Sequence, residues 1–386
     1  MYGYGAVHGS FARPSPRDCT MSAHPSLNTF PTCVPLLINV LHYYLYVALR
    51  GILSKLDQTI GISSDAEITL EMDPGTFDAA RICRLTGMGF NRISVGIQSF
   101  SDLILTKAGR AHTSFDSYAA LGILSEQACL RSYSVDLIAA LPYLSPELWT
   151  ETLDIVLGYK PPHISVYDLQ IEERSAFGRW YSPYTSPLPT EQDSVGMYTT
   201  AVSKLVSEGG YEHYELSNYA ISADHRSKHN QQYWQCKDTL GFGLGAASYI
   251  GGKRYTRPNR MQTYEEFVTS AEQNGDVYWN ILGRYASAGG CDLVEPVAPD
   301  LEEFLMLSLR TADGLDMDKL QRNYGAEVRS KVESALAGYI EESSTRQSSV
   351  IQKVVTPNGE CALRLADPQG FLLSNHIISD VFAKLR

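Results

Sequence analysis

The sequence predicts an α/β fold in which parallel strands alternate with helices, followed by a mainly helical carboxyl-terminal region. Two observations carry this. Between residues 67 and 169, four short runs of β-branched and apolar residues alternate with helical stretches, and polar residues fall at or near the carboxyl ends of those runs. Strands and helices alternating at this spacing form right-handed βαβ units on a parallel sheet. The 386 residues suffice for two or three domains of ordinary size, and 44% apolar with 19% charged residues is a globular balance. A net charge of −11 argues against a broad electrostatic footprint for nucleic acid or anionic lipid.

Residues 1–33 are rich in Ser and Pro, with Arg13 and Arg17 against one acid, Asp18. They read as a leader, either disordered or an organellar transit peptide, without a clear basic amphipathic helix. Residues 34–49 are apolar apart from Asn39 and His42, and Arg50 stops the run short of the roughly 20 residues a membrane span needs. A buried helix continuing through Ile52, Leu53 and Leu56 is expected, and no membrane partner.

Residues 67–72 alternate as a first strand, turned by Asp73-Pro74-Gly75, and Thr76 caps a helix running through Met88. Residues 92–98 form a second strand, with 115–128 as its helix. A third, 133–140, ends at Leu141-Pro142; helix 147–159 is stopped by Pro161-Pro162, and 163–169 is the fourth strand. After an excursion at 182–189 come an amphipathic helix over 191–207 and a fifth strand over 211–217. In the carboxyl-terminal region, helices cover 301–320 and 326–340, and 342–349 is a polar loop. Residues 361–365 and 370–374 pair as short strands before a last helix from Asn375. Helices with a small hairpin read as winged-helix-like. Without a basic recognition helix, a lid or docking domain is expected over DNA binding.

Glu71, Gln98, Asp136 and Gln170 stand at strand carboxyl ends, the edge that builds active sites in α/β barrels. Arg110 follows the second strand and can offer its guanidinium fork to a carboxylate at the same rim. His229 precedes Tyr233-Trp234. A surface histidine beside a core-packing aromatic pair is the plainer reading; a neutral imidazole ligating haem iron between aromatic walls is the other. The seven cysteines are widely spaced, the nearest pair being Cys19 and Cys33. That spacing fits a reducing compartment and supplies no local metal-binding triplet.

The segments EITLEMDPGTFD, NRISVGIQSF with GRAH, VDLIAALP, HISVYDLQIE, GYEHYELSNYA, KHNQQYW and LGFGLGAASYIGG follow in this order. Together, over residues 50–386, they resemble HemW, the haem-chaperone branch of the radical S-adenosylmethionine (SAM) family that includes oxygen-independent coproporphyrinogen III oxidase. The resemblance implies a partial (β/α)6 radical-SAM-type barrel, here lacking its first strand, plus a winged-helix-like, HemN-like carboxyl-terminal domain. It divides the chain into a leader at 1–48, barrel and HemW-like extension at 49–290, and the carboxyl-terminal domain at 291–386. SAM would lie across the carboxyl rim, faced by Glu71, Gln98, Arg110 and Asp136, with Gln170 near. His229 becomes the preferred haem-iron candidate, with Tyr233 and Trp234 as walls. Haem-acceptor proteins are the implied partners. The compartment is the cytoplasm, with mitochondrion or plastid as alternatives.

The family's Cys-x-x-x-Cys-x-x-Cys loop, which holds a [4Fe–4S] cluster, is not in this sequence. A truncated or alternatively assembled gene product and a cluster-free paralogue both account for that. Either way the chain is expected neither to assemble the cluster nor to perform radical chemistry. Loss of the first strand should expose the edge of the next. Three functions follow: a HemW-like haem chaperone, an oxidase-like enzyme of porphyrin biosynthesis, and a folded remnant without ligand chemistry.

Overall fold

The computed structural model describes residues 33–173, 175–274, 298–340, 350–355, 359 and 361–386. These form two compact units. The larger takes its described residues from 67–241, 247–255 and 296–386, and the smaller takes the rest.

In the smaller unit, α1 spans Cys33–Ile60. The expectation of a buried helix is corrected over residues 45–60. None of residues 45–60 is buried, and Leu45, Val47 and Ile52 are exposed. Arg50, Lys55 and Asp57 interrupt the apolar positions, so over residues 45–60 only a narrow stripe at Tyr46, Leu49, Leu53, Leu56 and Ile60 is half-covered. Among the described residues no helix is long and apolar enough to cross a membrane.

The larger unit begins with β1 (Thr69–Met72), α2 (Ala79–Thr86), β2 (Arg92–Gln98), α3 (Asp102–Lys107), α4 (Ser114–Ser125), β3 (Ser132–Ala139), α5 (Pro146–Tyr159) and β4 (His163–Asp168). These strands are parallel neighbours in sequence order. Helix starts follow local capping chemistry. Thr76 is not the first cap, because its hydroxyl donates to the Asp73 carbonyl at 2.6 Å and closes the turn. Asp78 caps α2 instead, accepting from Arg81 N at 2.7 Å. Thr113 and Asp116 form a capping box on α4, and Ser145 caps α5 ahead of Pro146.

Next come α6 (Ala176–Trp180) and α7 (Glu191–Val202), the latter continuing into a π-helical turn at Ser203–Glu208. The expected fifth strand is a hairpin, β5 (Glu212–Glu215) and β6 (Asn218–Ala220). Strand β6 inserts between β4 and β5, antiparallel to both, so the sheet is mixed, in the order β1-β2-β3-β4-β6-β5. The Glu215 carboxyl makes the turn, accepting from Ser217 N at 3.1 Å and from the Asn218 amide. Helices cover one sheet face, burying Ile93, Val95, Ile97, Val135, Leu137, Ile164 and Val166 together with Trp149, Leu153 and Leu205. Each such side chain contributes about 1.5–3 kcal/mol on burial.

Further on lie α8 (Lys228–Trp234), the hairpin β7 (Ala247–Ile250) and β8 (Lys253–Thr256), and α9 (Met261–Asn274). In the smaller unit, the buried Arg257 guanidinium lies 5.3 Å from the Phe242 ring and 5.7 Å from Phe267.

The single helix expected at 301–320 is two, α10 (Leu301–Ser308) and α11 (Met317–Tyr324), separated by the short β9 (Leu315–Asp316). Gly314, at φ +76, makes the break, and a Cβ there would meet Leu363 O at 2.7 Å. Asp316 then caps α11, accepting from Asp318 N and Lys319 N. After α12 (Ala326–Leu336), β10 (Ile351–Val355) pairs antiparallel with β11 (Cys361–Leu365), giving the sheet order β10-β11-β9. The strand pairing expected between 361–365 and 370–374 is thereby corrected. Residues 369–372 are helix α13 (Gln369–Leu372), followed by α14 (Ser374–Leu385). Ile351–Val355 serves as the partner because its inward Ile351 joins Leu363 and Leu365 in a second core with Leu305, Leu320, Val332, Phe371 and Val381. The loop expected at 342–349 lies outside the described residues.

Candidate functional site

Successive strand residues point to opposite faces. The sheet face turned away from the helical core is mainly polar, with Ile138 of β3 as its apolar exception. It carries Thr69 and Glu71 from β1, Arg92, Ser94 and Gly96 from β2, Ser132, Ser134 and Asp136 from β3, and His163, Ser165 and Tyr167 from β4. The register sets Glu71 beside Ser94, Ser94 beside Ser134, and Asp136 beside Ser165. Glu71 and Asp136 therefore share this face.

Asp136 sits at its centre. Its Oδ2 accepts from Ser94 Oγ at 2.8 Å and its Oδ1 from Ser134 Oγ at 3.0 Å. Desolvation pushes its pKa up, while the hydroxyls of Ser165, Ser94 and Ser134 and the Arg92 charge pull the other way. His163 is buried beside it, with Nδ1 2.7 Å from Ser134 Oγ and Nε2 2.7 Å from Tyr214 Oη. Burial, with Arg92 and His225 nearby, holds its pKa well below the ordinary value, so the ring is neutral. Desolvation pushes the buried Glu215 carboxyl up to about 8, opposed by the Ser217 N–H.

At the carboxyl end of β2, Gln98 adopts φ +64, unusual for a side-chain-bearing residue. That backbone turns its amide back over Gly96. A Cβ at Gly96 would lie 2.9 Å from Gln98 Nε2 and 2.7 Å from Arg110 Nη2, so glycine here lets both groups converge on the polar face. Arg110 Nη2 donates to Asp73 Oδ1 at 2.6 Å and to Gly96 O at 3.1 Å. The Gln98 Oε1 atom is buried without a hydrogen-bond partner. Gln170 is exposed in the loop after β4, where its amide donates to Asp168 Oδ2 at 3.1 Å.

Helix α8 is held near the amino ends of the strands. The Glu67 carboxylate accepts from Lys228 N and His229 N, both at 3.3 Å. His225 Nδ1 lies 3.1 Å from Ser132 Oγ, and Ser227 N donates to Tyr214 Oη at 3.2 Å. His229 is solvent-accessible and meets Tyr233 edge-on at 4.9 Å, one turn along. Desolvation lowers its pKa, opposed by the Glu67 and Glu71 charges, which leaves a neutral imidazole as an available Lewis base. Trp234, one residue past Tyr233, is rotated about 100° from it around the helix and does not share that face. The cleft that Tyr233 lines with Cys236, Tyr249, Arg254 and Glu303 has no room for a ligand.

No family model matches the chain. The protein described as heme chaperone HemW from Synechocystis sp. is 34% identical over 345 residues, covering 87% of this chain and 79% of that protein. The chain belongs to the HemW family. A mitochondrial radical S-adenosyl methionine domain-containing protein 1 from Mus musculus is 33% identical over 270 residues, covering 69% of this chain and 58% of that one. The solved structure of coproporphyrinogen III oxidase (HemN) from Escherichia coli, a radical SAM enzyme, aligns with a TM-score of 0.63 at 20% identity. It covers 87% of this chain and 73% of that one, which shows a common α/β fold.

The [4Fe–4S] cluster that membership in the HemW family implies does not fit the residues present. Cys83, Cys129, Cys236 and Cys361 are free thiols on separate elements. Among the described residues no three His, Cys, Asp or Glu side chains group to hold a metal. The sequence reading reached Asp136, Gln98 and Arg110 but passed over Ser94, Ser134, His163 and Tyr214. The signal was present: in RISVG, YSVDL and HISVY, serine recurs on alternate positions opposite the apolar set, marking a second polar face.

Proposed function

We propose that this chain is a haem-binding chaperone that delivers haem to acceptor proteins. The carrying observation is its 34% identity, across most of both chains, to a protein described as a haem chaperone. Helix α8 supports the reading, because it presents a neutral, accessible His229 with Tyr233 packed edge-on against it. In this reading His229 ligates the haem iron, Tyr233 forms a wall, and Trp234 contributes from the adjoining face.

The polar sheet face is the SAM site in the same proposal, inside a partial radical-SAM-type barrel over 49–290, with a winged-helix-like domain over 291–386 after a leader at 1–48. Glu71 and Asp136 offer acceptors for hydroxyl and amino groups, Arg110 offers a cation for a carboxylate, and the unpartnered Gln98 Oε1 accepts a donor from the ligand. Gln170 borders the site. SAM serves here as a bound ligand, since the sequence has no Cys-x-x-x-Cys-x-x-Cys run and the described residues hold no donor set for the cluster. The compartment is the cytoplasm, with mitochondrion or plastid as the alternatives that localisation of the tagged full chain decides.

The test is a haem titration of the full chain followed by the Soret band. A saturable shift in wild type that is lost in His229→Ala, with folding unchanged by circular dichroism, supports the proposal. The absence of any shift in wild type overturns it.

A further inference from the structure

The polar face and helix α8 are joined by a continuous chain of hydrogen bonds through the protein interior. Ser227 N lies 3.2 Å from Tyr214 Oη, Tyr214 Oη 2.7 Å from His163 Nε2, His163 Nδ1 2.7 Å from Ser134 Oγ, and Ser134 Oγ 3.0 Å from Asp136 Oδ1. Ser227 and Tyr214 are each 2% exposed, His163 is 1% and Ser134 is 0%, so water does not compete along most of its length.

Its polarity is fixed at both ends. A backbone N–H can only donate, so Tyr214 Oη accepts from Ser227. The single phenolic proton then goes to the other neighbour, His163 Nε2. The ring is neutral and carries one proton, so Nδ1–H donates to Ser134 Oγ. The Ser134 proton goes to Asp136 Oδ1, directly or through Ser165 Oγ at 3.2 Å. A carboxylate can only accept, and the chain closes without a conflict. The reverse order would aim two protons at the Tyr214 oxygen and leave the phenolic proton without an acceptor.

We infer that His163 and Tyr214 are positioning residues that couple the proposed SAM face to the proposed haem helix, so that a ligand at Asp136 changes haem affinity at His229. This rests on the reading given under Proposed function. A ligand donor bonding to Asp136 competes with Ser134 for the carboxylate, and repolarises every bond back to Ser227. Ser227 is the N-cap of α8, its Oγ accepting from Asn230 N, so the shift arrives at the first turn, which carries His229. The coupling is reciprocal: haem raises or lowers SAM affinity by the same factor.

The experiment titrates haem into the full chain, by Soret absorbance, with and without saturating SAM. It compares wild type, Tyr214→Phe, Ser134→Ala and the exposed-strand control Lys353→Ala; SAM binding is measured separately by calorimetry. The expected result is a change of about threefold or more in haem Kd on adding SAM in wild type and in Lys353→Ala. In Tyr214→Phe both ligands still bind but the change disappears, and it disappears too in Ser134→Ala at SAM concentrations that saturate that variant. Wild type that binds both ligands with no change in haem Kd overturns the coupling and leaves the proposed function intact. So does a full change retained in the two interrupted variants. Wild type that fails to bind haem or SAM in its separate titration removes the underlying reading, and the coupling falls with it.

Discussion

Replacing Glu215 by Gln should stabilise the protein, and increasingly so as pH rises. Glu215 is 1% exposed, and desolvation lifts its pKa to about 8 against an unfolded value near 4.5. Between those values the unfolded chain has released a proton that the folded chain keeps, so stability falls as pH rises. Each unit amounts to about 1.4 kcal/mol, giving a loss of roughly 3 kcal/mol at pH 7 and about 2 kcal/mol between pH 6.5 and 8. The second window is the informative one. Below about 6.5 the buried neutral His163 works in the opposite direction, because its depressed pKa removes stability as pH falls. Glutamine keeps the shape and an acceptor for Ser217 N. With the Asn218 amide turned over, the new amide can donate to Asn218 Oδ1, which is buried without a partner. Urea unfolding followed by circular dichroism at pH 6.5, 7.25 and 8 checks this. Wild type should lose about 2 kcal/mol over that span and Glu215→Gln little of it. A variant with the wild-type slope, or one less stable than wild type at pH 8, would refute the assignment of the slope to Glu215.

Two further outcomes follow from the core and the cysteine pattern. Trp149→Ala should destabilise by about 3–5 kcal/mol in urea unfolding, since the indole is 1% exposed and its N–H donates to Met197 O at 2.8 Å. Anaerobic reconstitution with iron and sulfide should leave no stoichiometric cluster, measured by iron and sulfide analysis. A four-iron stoichiometry would contradict the donor-set reading.

The four parallel strands were legible because one face of each is an unbroken apolar set: Ile93, Val95 and Ile97, or Ile164 and Val166, cannot sit on a solvated edge. The hairpin at 212–220 was not. YEHYELSNYA has no glycine or proline, and its turn is made by the Glu215 carboxyl bonding two and three residues on, a role for which glutamate is not a usual turn residue. Gly314 is visible in the sequence, yet one glycine in a helical pattern breaks the helix only where the next strand approaches, here at Leu363. In the site, Asp136 stood out as a charge in an apolar run, and Gln98 and Arg110 by position. His163 reads as an ordinary strand residue until Tyr214, far along the chain, supplies its second hydrogen bond.

The composition of the polar face bears on whether this sheet serves a ligand at all. Where the inner face of a parallel sheet is simply packed, it is filled by bulky branched residues. Here the corresponding positions are Ser94, Gly96, Ser134, Asp136 and Ser165, which are too small to fill that space themselves and too polar to be desolvated without cost. Most of the polar atoms satisfy one another, but Thr69 Oγ1, Arg92 Nε and, at the carboxyl edge, Gln98 Oε1 do not. A buried acceptor left unpaired costs about 1–3 kcal/mol. The left-handed backbone at Gln98, where the β2–β3 register shifts, adds strain. A structural remnant would be more stable with an apolar side chain there and with Val or Ile in place of the serines. Small residues, an orphaned acceptor and backbone strain converge on one end of one sheet face, and a bound ligand relieves the first two by occupying the space and donating to Gln98.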